Sequence, residues 1–169
     1  MRELTQVRDA VADALGRAGL AAFPAFPPER AGVYAGAAAA VSVETAAGTA
    51  LGFCNYLGEA DDPETGTVRE LYGKQLEAVI AVDVRGVRAA VCEQGCETAA
   101  EVLLGGLPGG IRSGELRWEA LAWERETGMF LRRGRLQCRA LFVARGGEDG
   151  AEFLEFRLKG VLERGRDGT

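Results

Sequence analysis

Two long runs of strict alternation dictate that this chain builds a sheet. Leu136, Cys138, Ala140, Phe142 and Ala144 take every second position, with Gln137, Arg139 and Arg145 among the residues between them. Leu76, Ala78, Ile80, Val82 and Val84 do the same against Glu77, Asp83 and Arg85. A period of two sends one set of side chains into a core and the other into water, as in a half-buried antiparallel strand. After Gly146-Gly147-Glu148-Asp149-Gly150 the alternation resumes as Leu154, Phe156, Leu158, Gly160 and Leu162. Gly-Gly and Asp-Gly pairs accept the positive φ of a hairpin turn, so the last two strands are expected to pair.

Two other segments step by three and four residues and predict helices. Leu4, Val7, Val11, Ala14, Leu15 and Ala18 form one apolar stripe, with Gly19 as its stop; Ala89, Cys92, Cys96, Ala99 and Leu103 form the other. Between the first helix and the sheet, Phe23-Pro24-Ala25-Phe26-Pro27-Pro28 reads as an extended crossover, because proline fixes its own φ and biases its predecessor away from helix. Val41 and Val43 followed by Ala46-Ala47-Gly48-Thr49 and Leu51, Phe53, Asn55, Leu57 predict a hairpin that turns at 46–49. Glu59 to Gly66 is expected to be a mobile acidic loop without an apolar anchor; its carboxylate spacing does not match a calcium loop.

Beyond this, Leu116, Trp118, Ala120 and Ala122 alternate with Arg117 and Glu119, and Glu124 to Gly128 makes the next turn. Uninterrupted alternation puts Leu121 and Trp123 on the opposite, nominally exposed face, which marks them as candidate subunit-interface residues. The expected fold class is α+β: an antiparallel β-sheet with two helices packed on one face, in the order α-β-β-β-α-β-β-β. Residues 1–162 are expected to form a single domain and 163–169 a flexible tail, since Arg-Gly-Arg-Asp-Gly-Thr buries too little to offset its ordering entropy.

Composition narrows the chemistry. With 169 residues and 47% hydrophobic content, one domain can bury roughly 70% of its unfolded surface. No apolar run approaches the ~20 residues that span a bilayer, and no signal peptide opens the chain, so synthesis in the cytoplasm without membrane insertion is expected. The chain has no histidine, which removes the commonest general base near neutral pH, and Glu124 with Glu126 reads as solvated turn charge; no enzymatic activity is expected. Four cysteines without histidine partners do not fit a zinc site, and Cys92 and Cys96 are expected to be reduced and buried. The glycines of Gly105-Gly106-Leu107-Pro108-Gly109-Gly110 follow a helix and lack a lysine, so they are not a phosphate loop. No cofactor or metal is expected. Net charge is −5, but residues 112–169 carry twelve basic against ten acidic groups, and residues 1–111 eight against fifteen. Uniform basicity for nucleic acid is absent, whereas two parts of opposite sign suit a surface that meets copies of itself.

The order of elements, the helix ending in Gly-Leu-Pro, the Trp118-x4-Trp123-Glu-Arg-Glu-Thr-Gly-Met-Phe stretch and the closing Phe153-Leu-Glu-Phe-Arg-Leu-Lys-Gly resemble prophage proteins of the tail terminator (tail completion, minor tail) group. The loop around Asp61 is longer than that pattern requires. The resemblance implies an α+β protomer closing into a hexameric ring on the tail tube, with tube and head-connector proteins as partners, in a virion tail. It implies no catalytic residue. The competing reading is a small-ligand-binding or regulatory α+β domain, which calls for a deep apolar pocket under the helices with convergent polar groups.

Overall fold

The computed structural model describes residues 2–145 and 157–158. Helix α1 (Arg2–Arg17) leads into a short strand β1 (Ala21–Phe23), a 3-10 turn at Pro28–Arg30, and strands β2 (Ala38–Ala50), β3 (Tyr56–Asp61) and β4 (Val68–Gly86). Helix α2 (Ala89–Gly105) follows, then β5 (Arg112–Trp118), β6 (Ala122–Glu124), β7 (Met129–Arg145) and β8 (Arg157–Leu158). The chain is α+β, with one mostly antiparallel sheet of order β1-β2-β4-β7-β5.

Eight strands occupy only five lanes. β4 has 19 residues, about 60 Å of extended chain. Along one flank it pairs first with β3 (Asp61↔Val68 to Tyr56↔Tyr72) and then with β2 (Ala50↔Lys74 to Ala38↔Arg85). Along the other it pairs with β7 from Leu71↔Arg145 to Gly86↔Phe130. The far flank of β7 is shared by β8, β5 and β6. β2 and β3 are thus one interrupted strand, not the two arms of a hairpin turning at 46–49. Ala46 to Ala50 bond straight across to β4, and the interruption is Leu51 to Asn55, tied back by Leu51 N–H to Gly73 O and Gly73 N–H to Asn55 O. Within it Cys54 and Asn55 both have positive φ, and the Tyr56 amide donates to Phe53 O at 2.9 Å. The true reversal lies at Asp62 to Thr67, so the first three residues of the predicted acidic loop, Glu59 to Asp61, belong to strand β3.

Even-numbered side chains of β4 and β7 face the helices. Ile80, Val82, Val84, Leu136 and Phe142 are fully buried there, beneath Val7, Val11 and Leu15 of α1 and Cys92, Ala99 and Leu103 of α2. α2 comes close through Gly95, where a side chain would strike Ala37 and Val84. Gly134 likewise leaves room for the Trp118 ring, 2.6 Å from where a Cβ would stand. Lys74, the one cation on this face of β4, is met by Glu3 of α1 at 2.6 Å. Strand β8 pairs with β7 at Phe142↔Leu158 and Val143↔Arg157, which agrees with the predicted final hairpin. The remainder of that hairpin and the 163–169 tail lie outside the described residues.

Candidate interaction surface

The sheet has a second face, and its chemistry is set by the odd-numbered residues of β4 and β7. Arg135 Nε lies 2.7 Å from Glu44 and its Nη1 3.2 Å from Asp83; Arg139 Nε lies 2.9 Å from Glu77; Arg117 Nε lies 2.8 Å from Glu115. Glu44 reaches this face by alternation from Val41 and Val43, and the bulge between Val43 and Thr45 brings Thr45 to the same face. The β5–β7 register also sets Arg112 directly opposite Arg139, and Arg117 directly opposite Arg135. Like charges facing each other across a ladder are destabilising, and carboxylates from β2, β4 and β5 offset three of the four. Arg112 has no acidic partner among the described residues. Beside it runs an open trough of about 720 Å³ across four lanes, lined on this face by Ala47, Val79, Gly114 and Gln137 and flanked by Arg112, Glu77 and Arg139.

At the lower end of the same face the crossover folds over the sheet. Arg85 forms a two-pronged pair with Glu124 (2.9 and 3.0 Å), and its guanidinium lies 4.6 Å from the centre of the Phe26 ring. Thr127 also donates to Glu124 at 2.7 Å. The hydrogen bond from Arg85, and then that from Thr127, hold the Glu124 carboxyl below the usual range against the opposing effect of burial. Phe26 and Phe23 pack on Tyr34, so these phenylalanines anchor the crossover.

At the opposite end, β3 and the start of β4 form an arm beyond Leu71↔Arg145, the last pair of the β4–β7 ladder among the described residues. Residues 56–72 hold five acidic groups and one arginine. Its turn is built, not merely solvated: Asp62 is 5% exposed, accepts the Glu64 amide at 3.0 Å and meets Arg69 at 3.0 Å. The Glu64 amide, then the Arg69 charge, lower its pKa. Glu59, Asp61 and Glu64 remain exposed, and Phe53 projects at the arm's base with 87% of its surface in water.

Leu121 and Trp123 stand where alternation alone does not put them. Trp118 pairs with Gly134 and Ala122 with Leu131, so four steps on one strand match three on the other. The extra residue flips the side-chain parity. Both residues therefore return to the helix side of the sheet: Leu121 is half buried against the core, and Trp123 packs edge-on against Phe130 with ring centres 5.0 Å apart. Trp123 is still 57% exposed.

Cys92 and Cys96 are free and buried on the inner face of α2, with the Cys92 thiol donating to Val84 O at 3.3 Å. The hydrogen bond with Cys92, and then burial, push the Cys96 thiol up; burial alone pushes Cys138 to about 11. Only Cys54, on the exposed turn, is open to solvent. A thiol reagent should accordingly label one of the four cysteines quickly and the other three only on unfolding; fast labelling of the Cys54→Ser variant would contradict this packing. Among the described residues no group of three or more His, Cys, Asp or Glu could hold a metal. No helix among them is long and apolar enough to cross a membrane.

The Arg–Arg oppositions and the arm escaped the sequence reading because register between distant strands is not written locally. The excess of arginine after residue 112 was the available signal.

No family model matches the chain, and no curated protein matches it. Among solved structures, a chain of the structure titled "Virion of native gene transfer agent (GTA) particle" is similar, with 18% sequence identity and a TM-score of 0.30. The match covers 76% of this chain and 82% of that one.

Proposed function

We propose that this chain is a structural, non-enzymatic protein of a phage-like particle: a tail-terminator-like subunit that assembles with its own copies into a closed ring at the end of a tail tube. The resemblance of 103–129 and 135–162 to that group supplies the biological reading, and one structural observation carries the assembly. Both long edges of the sheet are open among the described residues. β1 covers only Ala38–Ala40 of the β2/β3 lane, and nothing pairs with the outer side of β5. β2 and β5 run in opposite directions, since each of the three intervening ladders is antiparallel. In a cyclic assembly every copy keeps the same orientation along the axis, so β5 of one copy meets β2/β3 of the next as an antiparallel pair. Unpaired edges of this length are otherwise a hazard that monomeric proteins cover.

Trp123 stands on the β5/β6 edge lane, and its exposed ring becomes an anchor when a neighbour adds there. Trp123→Ala should weaken self-association by about 2 kcal/mol while leaving the thermal transition within about 0.5 kcal/mol of the parent, as for surface positions. Sedimentation equilibrium and a melting curve on the same samples check this; undiminished association would remove Trp123 from the interface. The ligand-binding alternative is less well supported: the space under the helices is filled by the apolar core, and the trough lies on the open outer face.

A further inference from the structure

The acidic arm and the arginine-flanked trough are complementary in charge. Residues 56–72 carry five acids against one base, whereas the β5–β7 stretch, 112–145, carries eight bases against four acids. Ala47, Val79, Gly114 and Gln137 line the trough on this open face, and Glu77 stands beside Arg139 within it. Its wall contains the directly opposed Arg112 and Arg139, of which only Arg139 has an acidic partner, Glu77, among the described residues. Two facing guanidiniums are an unfavourable arrangement in one molecule and a favourable one around an incoming carboxylate. The arm cannot fold back onto its own trough, since its strands continue rigidly from the same sheet. The arm's exposed acids, Glu59, Asp61 and Glu64, are held in place by the internal Asp62–Arg69 pair.

We infer that the occupant of the trough is the acidic arm of a second copy of this chain, its carboxylates seated on Arg112 and Arg139. This rests on the ring reading and deepens it, because the contact is head-to-tail: each copy offers one arm and one trough, as a cyclic assembly requires. The charges set register and orientation, while the strand edges and Trp123 supply apolar burial.

Charge reversal tests it. One variant carries Glu59→Lys and Asp61→Lys, the other Arg112→Glu and Arg139→Glu; a melting curve confirms that each is folded. Mass is measured by sedimentation for the parent, each variant and an equimolar mixture, at low and high salt and at millimolar protein. The expected result is assembly of the parent, loss of about tenfold or more in association for each variant alone, and recovery in the mixture, where every arm again meets a trough of opposite charge. If the parent assembles and both variants assemble equally well, the contact is wrong and the ring reading stands. A parent that stays monomeric throughout removes both. A fluorescent single-stranded oligonucleotide bound by the parent and lost in the arginine variant, without recovery of assembly in the mixture, assigns the trough to a phosphate polyanion and overturns the proposal.

Discussion

Phe142→Ala is expected to cost about 3–5 kcal/mol, the range for removing a fully buried aromatic ring. Phe142 has no exposed surface and stands on the helix face of β7, between Lys74 of β4 and Leu158 of β8. The ring is held from both sides by sheet and from above by the core cluster to which α1 contributes Val7, Val11 and Leu15. Long, doubly paired β4 and β7 cannot collapse into the space, so the cavity persists. A domain of this size has a total stability on the order of 5–15 kcal/mol, so the variant would be left marginal. Urea unfolding should show a lower midpoint with an unchanged slope. A loss under about 1 kcal/mol would mean that α1 does not cover this end of the sheet.

Arg85→Ala is expected to cost about 3 kcal/mol, and its effect should depend on pH. Removing one partner of a largely buried ion pair strands the other charge, which typically costs about 3–5 kcal/mol. The lower end applies because the Arg85 and Glu124 side chains keep 12% and 18% of their surface. The loss also uncouples Phe26 and with it the crossover. Lysine should restore only part, since it cannot supply the two-pronged geometry. In the parent, Glu124 has a folded pKa below its unfolded value, which is about 4.3 for an ordinary glutamate. That contribution to stability is fully present above the unfolded pKa and is lost as pH falls through the lower folded one. The difference between parent and Arg85→Ala should therefore be large near neutral pH and shrink in acid. A pH-independent difference would show that packing alone, not the ion pair, accounts for the effect.

Where the sequence was read correctly, the pattern was long and unbroken. Leu76 to Val84 and Leu136 to Ala144 face the core as alternation demands, and the stripes of α1 and α2 bury Val7, Val11, Cys92 and Leu103 as their spacing requires. The readings that failed did so at bulges. One extra residue near Glu44, at Leu57, between Ser113 and Leu116, and between Trp118 and Ala122 reverses the parity of everything that follows. Nothing local announces those insertions, because a bulge is defined by the partner strand. The same blindness hid the collinear β2 and β3. Gly48 has open space around it and simply continues the strand, while the interruption falls at Leu51 to Asn55, where Gly52, Cys54 and Asn55 take positive φ. Gly and Asn are common choices for that conformation and cysteine is not, so Gly52 and Asn55 were the available turn signals. The arm was read as a loop because its acidic residues concealed a ladder with β4 whose alternating side is also polar. Candidate site residues fared similarly: Trp123 was singled out for being large and apolar in an odd place, and it is exposed, but on the helix side and for a different geometric reason.

In the proposed ring, copies of this chain join at their open strand edges. Amide hydrogen exchange, compared between dilute and concentrated protein or between free and ring-assembled protein, reads those edges directly. Assembly through these edges is expected to slow exchange selectively along β5 and along β2 and β3 beyond the reach of β1, while the central β4 and β7 amides, already paired on both flanks, do not change. Assembly with no added protection at either edge would contradict it, and protection confined to the outward surfaces of α1 and α2 would place the interface on the helices instead.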